Sequence, residues 1–308
     1  MRDDAAMFFA TDTANNAAGD YDHIEVRPLT GALGAEPFGK DGAPLDCADL
    51  TDEIFAEIRR ASVEHLVVFF RDQSFDLDGF VEFGSRWGTF GDDPFVAGLE
   101  SHPNVVKVRK EADEKHPLVF GGAWHSDWSF QERPPAFTIL YGHDVPDHGG
   151  DTLWANMYLA ADHLSPGLRS TLAGLRAVHS PQKAYGAQAS HNELVENMDI
   201  LYGEKANQRR AQPILRRHPD SDRSALYVNW GYTESVEGWW PDESAALLDR
   251  LFEVSTNPVY TCRFRWAPGS IAVWDNRCTL HNPISDYAGT RREMWRLTIE
   301  GEEPIAGA

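Results

Sequence analysis

The sequence predicts a mostly β domain with flanking helices, built as a double-stranded β-helix (jelly roll). Many short apolar runs are separated by turn residues. Helical periodicity is concentrated near the start and middle of the chain. No strand–glycine-loop–helix phosphate motif is present, which argues against a nucleotide-binding α/β fold. With 308 residues and 42% hydrophobic content the chain can bury one large core.

Residues 1–22 read as a polar, flexible tail, and 23–302 as one jelly-roll domain. His23–Leu29 alternates as a strand. Leu50–Ala61 has helical spacing through Leu50, Ile54, Phe55 and Ile58. His65–Phe70 is a buried strand, and Leu77–Trp87 is a second amphipathic helix ended by Gly88. Val105–Lys110, Trp124–Phe130 and Phe137–Tyr141 read as strands. Gly149-Gly150-Asp151 turns into a strand over Thr152–Ala155. Ala160–Leu175 holds one or two helices, with Ser165-Pro166 as a start signal. Residues 181–211 are polar without a clean period, so they read as a lid or binding loop, or equally as a surface insertion. Leu226–Asn229, Val259–Trp266, Ile271–Trp274 and Met294–Ile299 are strands, and Glu243–Val254 is a helix.

The net charge is −20. So acidic a chain repels nucleic acid and anionic membranes, and neither is an expected partner. No apolar stretch reaches the length of a membrane span. Cys47, Cys262 and Cys278 are an odd, widely spaced set that suggests no disulfide framework. A reducing cytoplasm is the expected location.

The segment Trp124-His125-Ser126-Asp127-Trp128-Ser129-Phe130 carries the chemistry. On an extended strand, His125 and Asp127 point to the same side. His281, from a distant strand, can complete three ligands on one face of a metal. Two histidines and one carboxylate leave about three open positions, which suits non-haem Fe(II) and O2. The same set also suits catalytic zinc. A structural His–Asp pair is the plain alternative. His218-Pro219-Asp220 repeats the H-x-D pattern within a charged turn and reads as a surface loop. The stretch from His143 to His148 reads as a plain loop, and Cys278 as a small core residue.

Near the C-terminus, Arg292, Met294 and Arg296 share one face of a strand. Two guanidiniums facing a barrel interior need anionic partners, because burying them alone is costly. A dicarboxylic co-substrate fits that demand. Pairing with core or surface acids is the alternative.

Together these segments resemble the taurine dioxygenase/TfdA family of Fe(II)- and 2-oxoglutarate-dependent dioxygenases. The resemblance covers about residues 23–300. It rests on WHSDWSF (124–130), PPAFTILYG (134–142), GGDTLWAN (149–156), ALYVN (225–229), WDNRCTLH (274–281) and RREMWRLTI (291–299), in that order and spacing. It implies iron ligands His125, Asp127 and His281, and 2-oxoglutarate contacts from Thr152 and Arg292. Arg296 would face the site, near substrate or co-substrate. Trp274-Asp275-Asn276 is left outside it. The implied reaction consumes O2 and 2-oxoglutarate, yields succinate and CO2, and oxidises a substrate C–H. In related halogenases a small residue replaces the carboxylate ligand, so Asp127 favours hydroxylation, or desaturation, over halogenation. The resemblance also suggests a dimer or higher homo-oligomer.

The substrate segment departs from the taurine pattern. By an ungapped match Asp93 takes the position of a sulfonate-binding His, Val96 replaces a Tyr, and Gly121 replaces a short polar residue. Asp93 would repel a sulfonate, so an amino-acid-like or natural-product-like small molecule is expected rather than taurine. Trp128, Tyr232, Trp239 and Trp240 are candidate aromatic walls. Asp93 or Glu234 would meet an amine, and Arg296 an anionic group. The competing functions are a non-catalytic jelly-roll binding protein and, less well supported, a zinc hydrolase.

Overall fold

The computed structural model describes residues 16–114, 119–186, 197–198 and 200–308. Seven strands form the large sheet, in spatial order Ile24–Pro28, Ala35–Gly39, Val67–Phe70, Ile271–Asp275, Phe137–Asp144, Arg292–Ile299 and Val106–Lys110. Against it stands a small sheet of Thr261–Phe264, Thr152–Asn156 and Thr279–Pro283, all antiparallel. Among the described residues two further three-stranded sheets accompany these, and the architecture is the expected mostly β jelly roll with flanking helices.

Strand alternation assigns the two faces of the large sheet. Val68, Phe70, Ile139, Tyr141, Ile271, Val273, Trp295 and Leu297 face outward. There they pack with Ile58 and Ala61 of helix Asp52–His65 and with Phe80 and Phe83 of helix Leu77–Ser85. Their neighbours Val67, Phe69, Leu140, Ala272, Trp274 and Met294 face inward, into a cluster with Trp154, Cys262, Phe264 and Leu280 of the small sheet. The functional side chains lie on this inner face.

The helix ends follow from their residues. Thr51 caps the first helix by accepting the Ile54 N–H at 3.3 Å. Asp76 caps the second in the same way from Gly79, and Ser165 caps Pro166–Leu172 from Leu168. The second helix stops at Ser85, two residues short of the expected Trp87. The strand expected over Leu226–Asn229 is instead Ser224–Leu226.

Two expectations need correction. Residues 1–15 of the expected tail lie outside the described residues, and in its remainder Asn16 and Tyr21 are docked. Asn16 bonds the backbone of Thr30 and Gly34, and the Tyr21 hydroxyl donates to Glu64 at 2.6 Å. The segment Trp124–Phe130 is not a strand. His125 forms a single bridge to His281, and the chain then turns through Trp128, whose φ is 45°. Its Trp128 and Phe130 fill a local cluster with Phe95, Tyr185 and Tyr232, while Trp124 packs against the inner core. In the expected lid, residues 187–196 and 199 lie outside the described residues. Its flanks form a short helix Gln182–Tyr185, a 3-10 turn Glu204–Asn207 and a strand Arg210–Pro213.

Candidate active site

His281 and Thr152 lie on neighbouring small-sheet strands, where His281 pairs with Trp154 and Pro283 with Thr152. The alternation of both strands therefore puts the imidazole and the hydroxyl on one face. His125 joins the edge of this sheet through two backbone bonds. Its N–H donates to the His281 carbonyl at 3.1 Å, and the His281 N–H donates back at 2.8 Å. Across the interior, Arg292 and Arg296 project from the large sheet on the face of Met294, as expected. Asp127 enters between the sheets.

The three candidate ligands converge. Asp127 Oδ1 is 3.5 Å from His125 Nε2 and 3.8 Å from His281 Nε2, and all three residues are buried. His125 Nδ1 donates to the Ala123 carbonyl at 2.7 Å, which commits Nε2 to the acceptor role a metal requires. Burial and the neighbouring His125 hold the His281 imidazole well below its ordinary pKa, in the neutral form that binds metal. Burial alone would raise the Asp127 pKa. The Arg296 guanidinium and the two imidazoles override it and hold the carboxyl well below its ordinary range.

Residues left out of the sequence-derived site position this carboxylate. Thr138 donates to Asp127 Oδ2 at 2.6 Å, and Asn276 Nδ2 donates to the Thr138 hydroxyl at 2.8 Å. Asn276 Oδ1 accepts the Asp127 N–H at 3.2 Å and Trp274 Nε1 at 3.0 Å. One carboxylate oxygen is thus held by Thr138 while the other faces the imidazoles. Thr138→Val keeps the volume but removes the donor. Metal affinity is expected to fall about 10–100-fold. Anaerobic calorimetric titration with a divalent metal checks this, and an unchanged affinity would deny Thr138 that role.

Beside the triad is a chamber of about 50 Å³, lined by Thr152, Arg292, Arg296 and the three ligands together with apolar residues such as Val108, Leu140 and Trp274. Arg292 is 5% exposed, yet its Nε and Nη2 have no partner among the described residues. Burial lowers its pKa, while Tyr287 and Asp151 work against that shift. The Gly149-Gly150 turn makes room for it. A Cβ on Gly150, whose φ is 68°, would stand 3.2 Å from the arginine Nε. The Thr152 hydroxyl accepts from Trp266 Nε1 at 3.0 Å, so its own proton is free to point elsewhere. The chamber therefore presents donors with unmet capacity.

Charge accounting agrees with the donor set. Arg296 is paired with Asp93 at 2.8 Å and Asp127 at 3.1 Å. A divalent cation at the triad and a dianion at Arg292 would enter together without adding net charge. The residues fit a metal with a dicarboxylate.

The substrate candidates are only partly brought together. Tyr232 lines a second chamber of about 300 Å³, which shares Phe120, Gly121 and His125 with the first. A Cβ on Gly121 would stand 3.1 Å from His125 Cε1, which accounts for glycine there. Trp128 is buried in the adjoining aromatic cluster, with Nε1 donating to Asp93 at 2.7 Å. Asp93 also accepts from Arg296 and from Thr298, so it is not available to an amine. Glu234 is paired with Arg209 at 2.7 Å and is not part of the chamber wall. Trp239 and Trp240 lie at the start of helix Pro241–Ser255, exposed and outside the chamber. Each acid expected to meet an amine is thus satisfied within the protein.

The second H-x-D copy also differs from expectation. His218 is fully buried, with Nε2 2.9 Å from Asp275 Oδ2. The turn bonds back on itself from His218 to Arg223 and directs the imidazole inward. Asp275 is also salt-bridged to Arg277 at 2.6 Å, and Cys278 lies nearby. With Arg277 on that carboxylate, the cluster is a buried ion-pair network behind the site. Cys278 is buried as expected, and His143 stacks on Trp295 with centroids 4.3 Å apart.

Comparison with known proteins adds the chemistry. Residues 25–298 match the family model described as taurine catabolism dioxygenase TauD, TfdA family. The alpha-ketoglutarate-dependent dioxygenase cnsM of Penicillium expansum is 33% identical, over 85% of this chain and 75% of its own. The alpha-ketoglutarate-dependent sulfate ester dioxygenase of Pseudomonas putida is 30% identical, over 92% and 91%. The crystal structure of a taurine dioxygenase from Burkholderia xenovorans superposes with a TM-score of 0.76 at 32% identity, covering 92% of this chain and 93% of that one.

Proposed function

This chain belongs to the TauD/TfdA family and is an Fe(II)/2-oxoglutarate-dependent dioxygenase, and we propose that it oxidises an unactivated C–H of a small molecule with a largely apolar body. His125, Asp127 and His281 hold the iron, and Thr152 and Arg292 hold the distal carboxylate of 2-oxoglutarate. The observation that carries this reading is the convergence of three ligand atoms beside a buried guanidinium with two unpaired nitrogens. A zinc hydrolase or an inert binding protein leaves that guanidinium without a purpose.

Bound Fe(II) supplies the oxidising chemistry with O2 and 2-oxoglutarate, which leaves as succinate and CO2. The chain's own contributions are orientation, charge balance and exclusion of water. Thr138 fixes the Asp127 carboxylate, and Asn276 holds the Asp127 backbone N–H and the Thr138 hydroxyl. Thr152 and Arg292 fix the co-substrate's far end by charge-assisted hydrogen bonds. Phe120, Tyr185, Ile200, Tyr202 and Tyr232 wall the outer chamber and select an apolar body for the substrate. Hydroxylation is favoured over halogenation because the ligand carboxylate is present. A taurine-like sulfonate is disfavoured because Asp93 occupies Arg296.

The test is anaerobic addition of Fe(II) and 2-oxoglutarate to the metal-free protein. A weak visible charge-transfer band is expected, followed by succinate formation when O2 is admitted. A protein that binds Fe(II) but gives neither band nor succinate would overturn the reading.

A further inference from the structure

His125 is the one triad residue that lines the outer chamber, and beside it the described lining carries one charged group. Its walls are Phe120, Tyr185, Ile200, Tyr202, Trp230 and Tyr232, and Lys183 is the sole lysine, arginine or acid among the described lining residues. Lys183 Nζ donates to the Thr233 carbonyl at 3.2 Å and lies 5.9 Å from the Trp230 ring centroid. Among the described residues it has no salt-bridge partner. Glu234 is close enough to be felt, but it is paired with Arg209 at 2.7 Å. Lys183 and Trp230 are exposed, whereas His125 is buried. The lysine is therefore at the rim and the candidate metal ligand at the floor.

The two arginines deeper in the site do not compete for an anionic substrate group. Arg292 faces the small inner chamber, and Asp93 and Asp127 take up the charge of Arg296. The expectation of an amine partner is lost with Asp93 and Glu234. What remains is a cation at the mouth of an apolar chamber.

We propose that Lys183 is a specificity-determining residue that receives an anionic group at the rim. The substrate is then an amphipathic small-molecule acid, with an alkyl or aryl body lying toward the triad. This rests on the dioxygenase reading and on the outer chamber as the substrate site. It carries a regiochemical consequence: the carbon oxidised is at the apolar end, several bonds from the anionic group. Carboxylate and sulfate share the required chemistry, a compact anion able to accept from an ammonium.

The experiment uses the enzyme loaded with Fe(II) and 2-oxoglutarate without O2, and calorimetric titration with matched probes. These are phenylbutyrate, phenylpropyl sulfate, phenylbutanol and phenylbutylamine. Wild type is expected to bind the two acids about tenfold more tightly than the alcohol, the scale for a partly exposed charge-assisted hydrogen bond. The acid that binds better identifies the source of the anion. Lys183→Met is expected to remove the preference by bringing the two acids down to the alcohol's affinity, and Lys183→Glu to favour the amine. Equal binding of acid and alcohol by wild type overturns the proposal, as does a preference that survives Lys183→Met, or no probe binding although the visible band forms. Absence of the band itself strikes the dioxygenase reading beneath it.

Discussion

Replacing Arg292 by methionine is expected to weaken 2-oxoglutarate binding by about 30-fold or more and to stabilise the metal-free protein. Both effects come from one feature, a buried guanidinium with Nε and Nη2 unpaired. With the co-substrate bound, its distal carboxylate supplies the missing acceptors. Removing one partner of such a buried charge pair costs about 2–5 kcal/mol. Without co-substrate the same group is an uncompensated buried cation, only partly helped by Tyr287 and Asp151. Methionine fills similar apolar space without that penalty. The gain is expected at about 1 kcal/mol, or about 2 °C in melting temperature for a chain of this size. Titration of the visible band with 2-oxoglutarate reads the first effect, and thermal melting of the metal-free protein the second. Arg292→Lys separates charge from geometry, because an ammonium cannot form the two-pronged contact. Unchanged 2-oxoglutarate binding in the methionine variant would remove Arg292 from the co-substrate site.

The fold was legible where a period-2 pattern coincided with burial on both faces. Arg292–Ile299 is the clearest case. Its alternation puts Trp295 and Leu297 against the outer helices, and Met294 with the two arginines inside. The same rule failed at Trp124–Phe130. The aromatic residues there suit a strand, but Trp128 and Phe130 pack into a separate cluster, and Trp128 takes a left-handed conformation to reach it. Tertiary packing overrode local propensity. His125 and Asp127 still converge, through a bridge and a turn rather than a pleat.

In the site, residue types and spacing singled out His125, Asp127 and His281 and asked for an anion at Arg292, whereas Thr152 came only with the family resemblance. The partners that orient them were not legible. Thr138 and Asn276 lie in or beside apolar strands, and their hydrogen bonds to Asp127 span 11 and 149 residues. A buried Thr in an otherwise apolar strand and the polar residues after Trp274 were the available signals. Charge neutralisation was also hidden. Asp93 is 203 residues from Arg296 in sequence and 2.8 Å from it in the fold. Sequence alone made Asp93 a candidate for an amine, whereas the contact commits it to a guanidinium. His218 shows the same limit, since a turn rich in charge still sends one imidazole into the core.

Asp127→Ala is expected to abolish turnover and to uncouple stability from iron. The carboxylate is one of three candidate ligands and the only one carrying charge. Two neutral imidazoles alone offer Fe(II) neither the third contact nor the charge compensation. The variant should still fold, because Arg296 keeps its 2.8 Å partner Asp93. Thr138 loses its acceptor, and the buried Arg296–Asp127 contact is gone, so a cost of about 3 kcal/mol is expected in the metal-free protein. Loss of activity could then be mistaken for loss of fold. Metal-dependent melting separates the two. A ligand that binds only the native state raises the melting temperature with its concentration. Wild type should therefore melt higher as Fe(II) is added, while Asp127→Ala melts cooperatively at one temperature throughout. Asp127→Asn keeps an acceptor for Thr138 but no charge. It is expected to recover most of the stability and none of the turnover. If Asp127→Ala still oxidised substrate, or still gained stability from Fe(II) as wild type does, the carboxylate would be a structural partner of Arg296 and not an iron ligand.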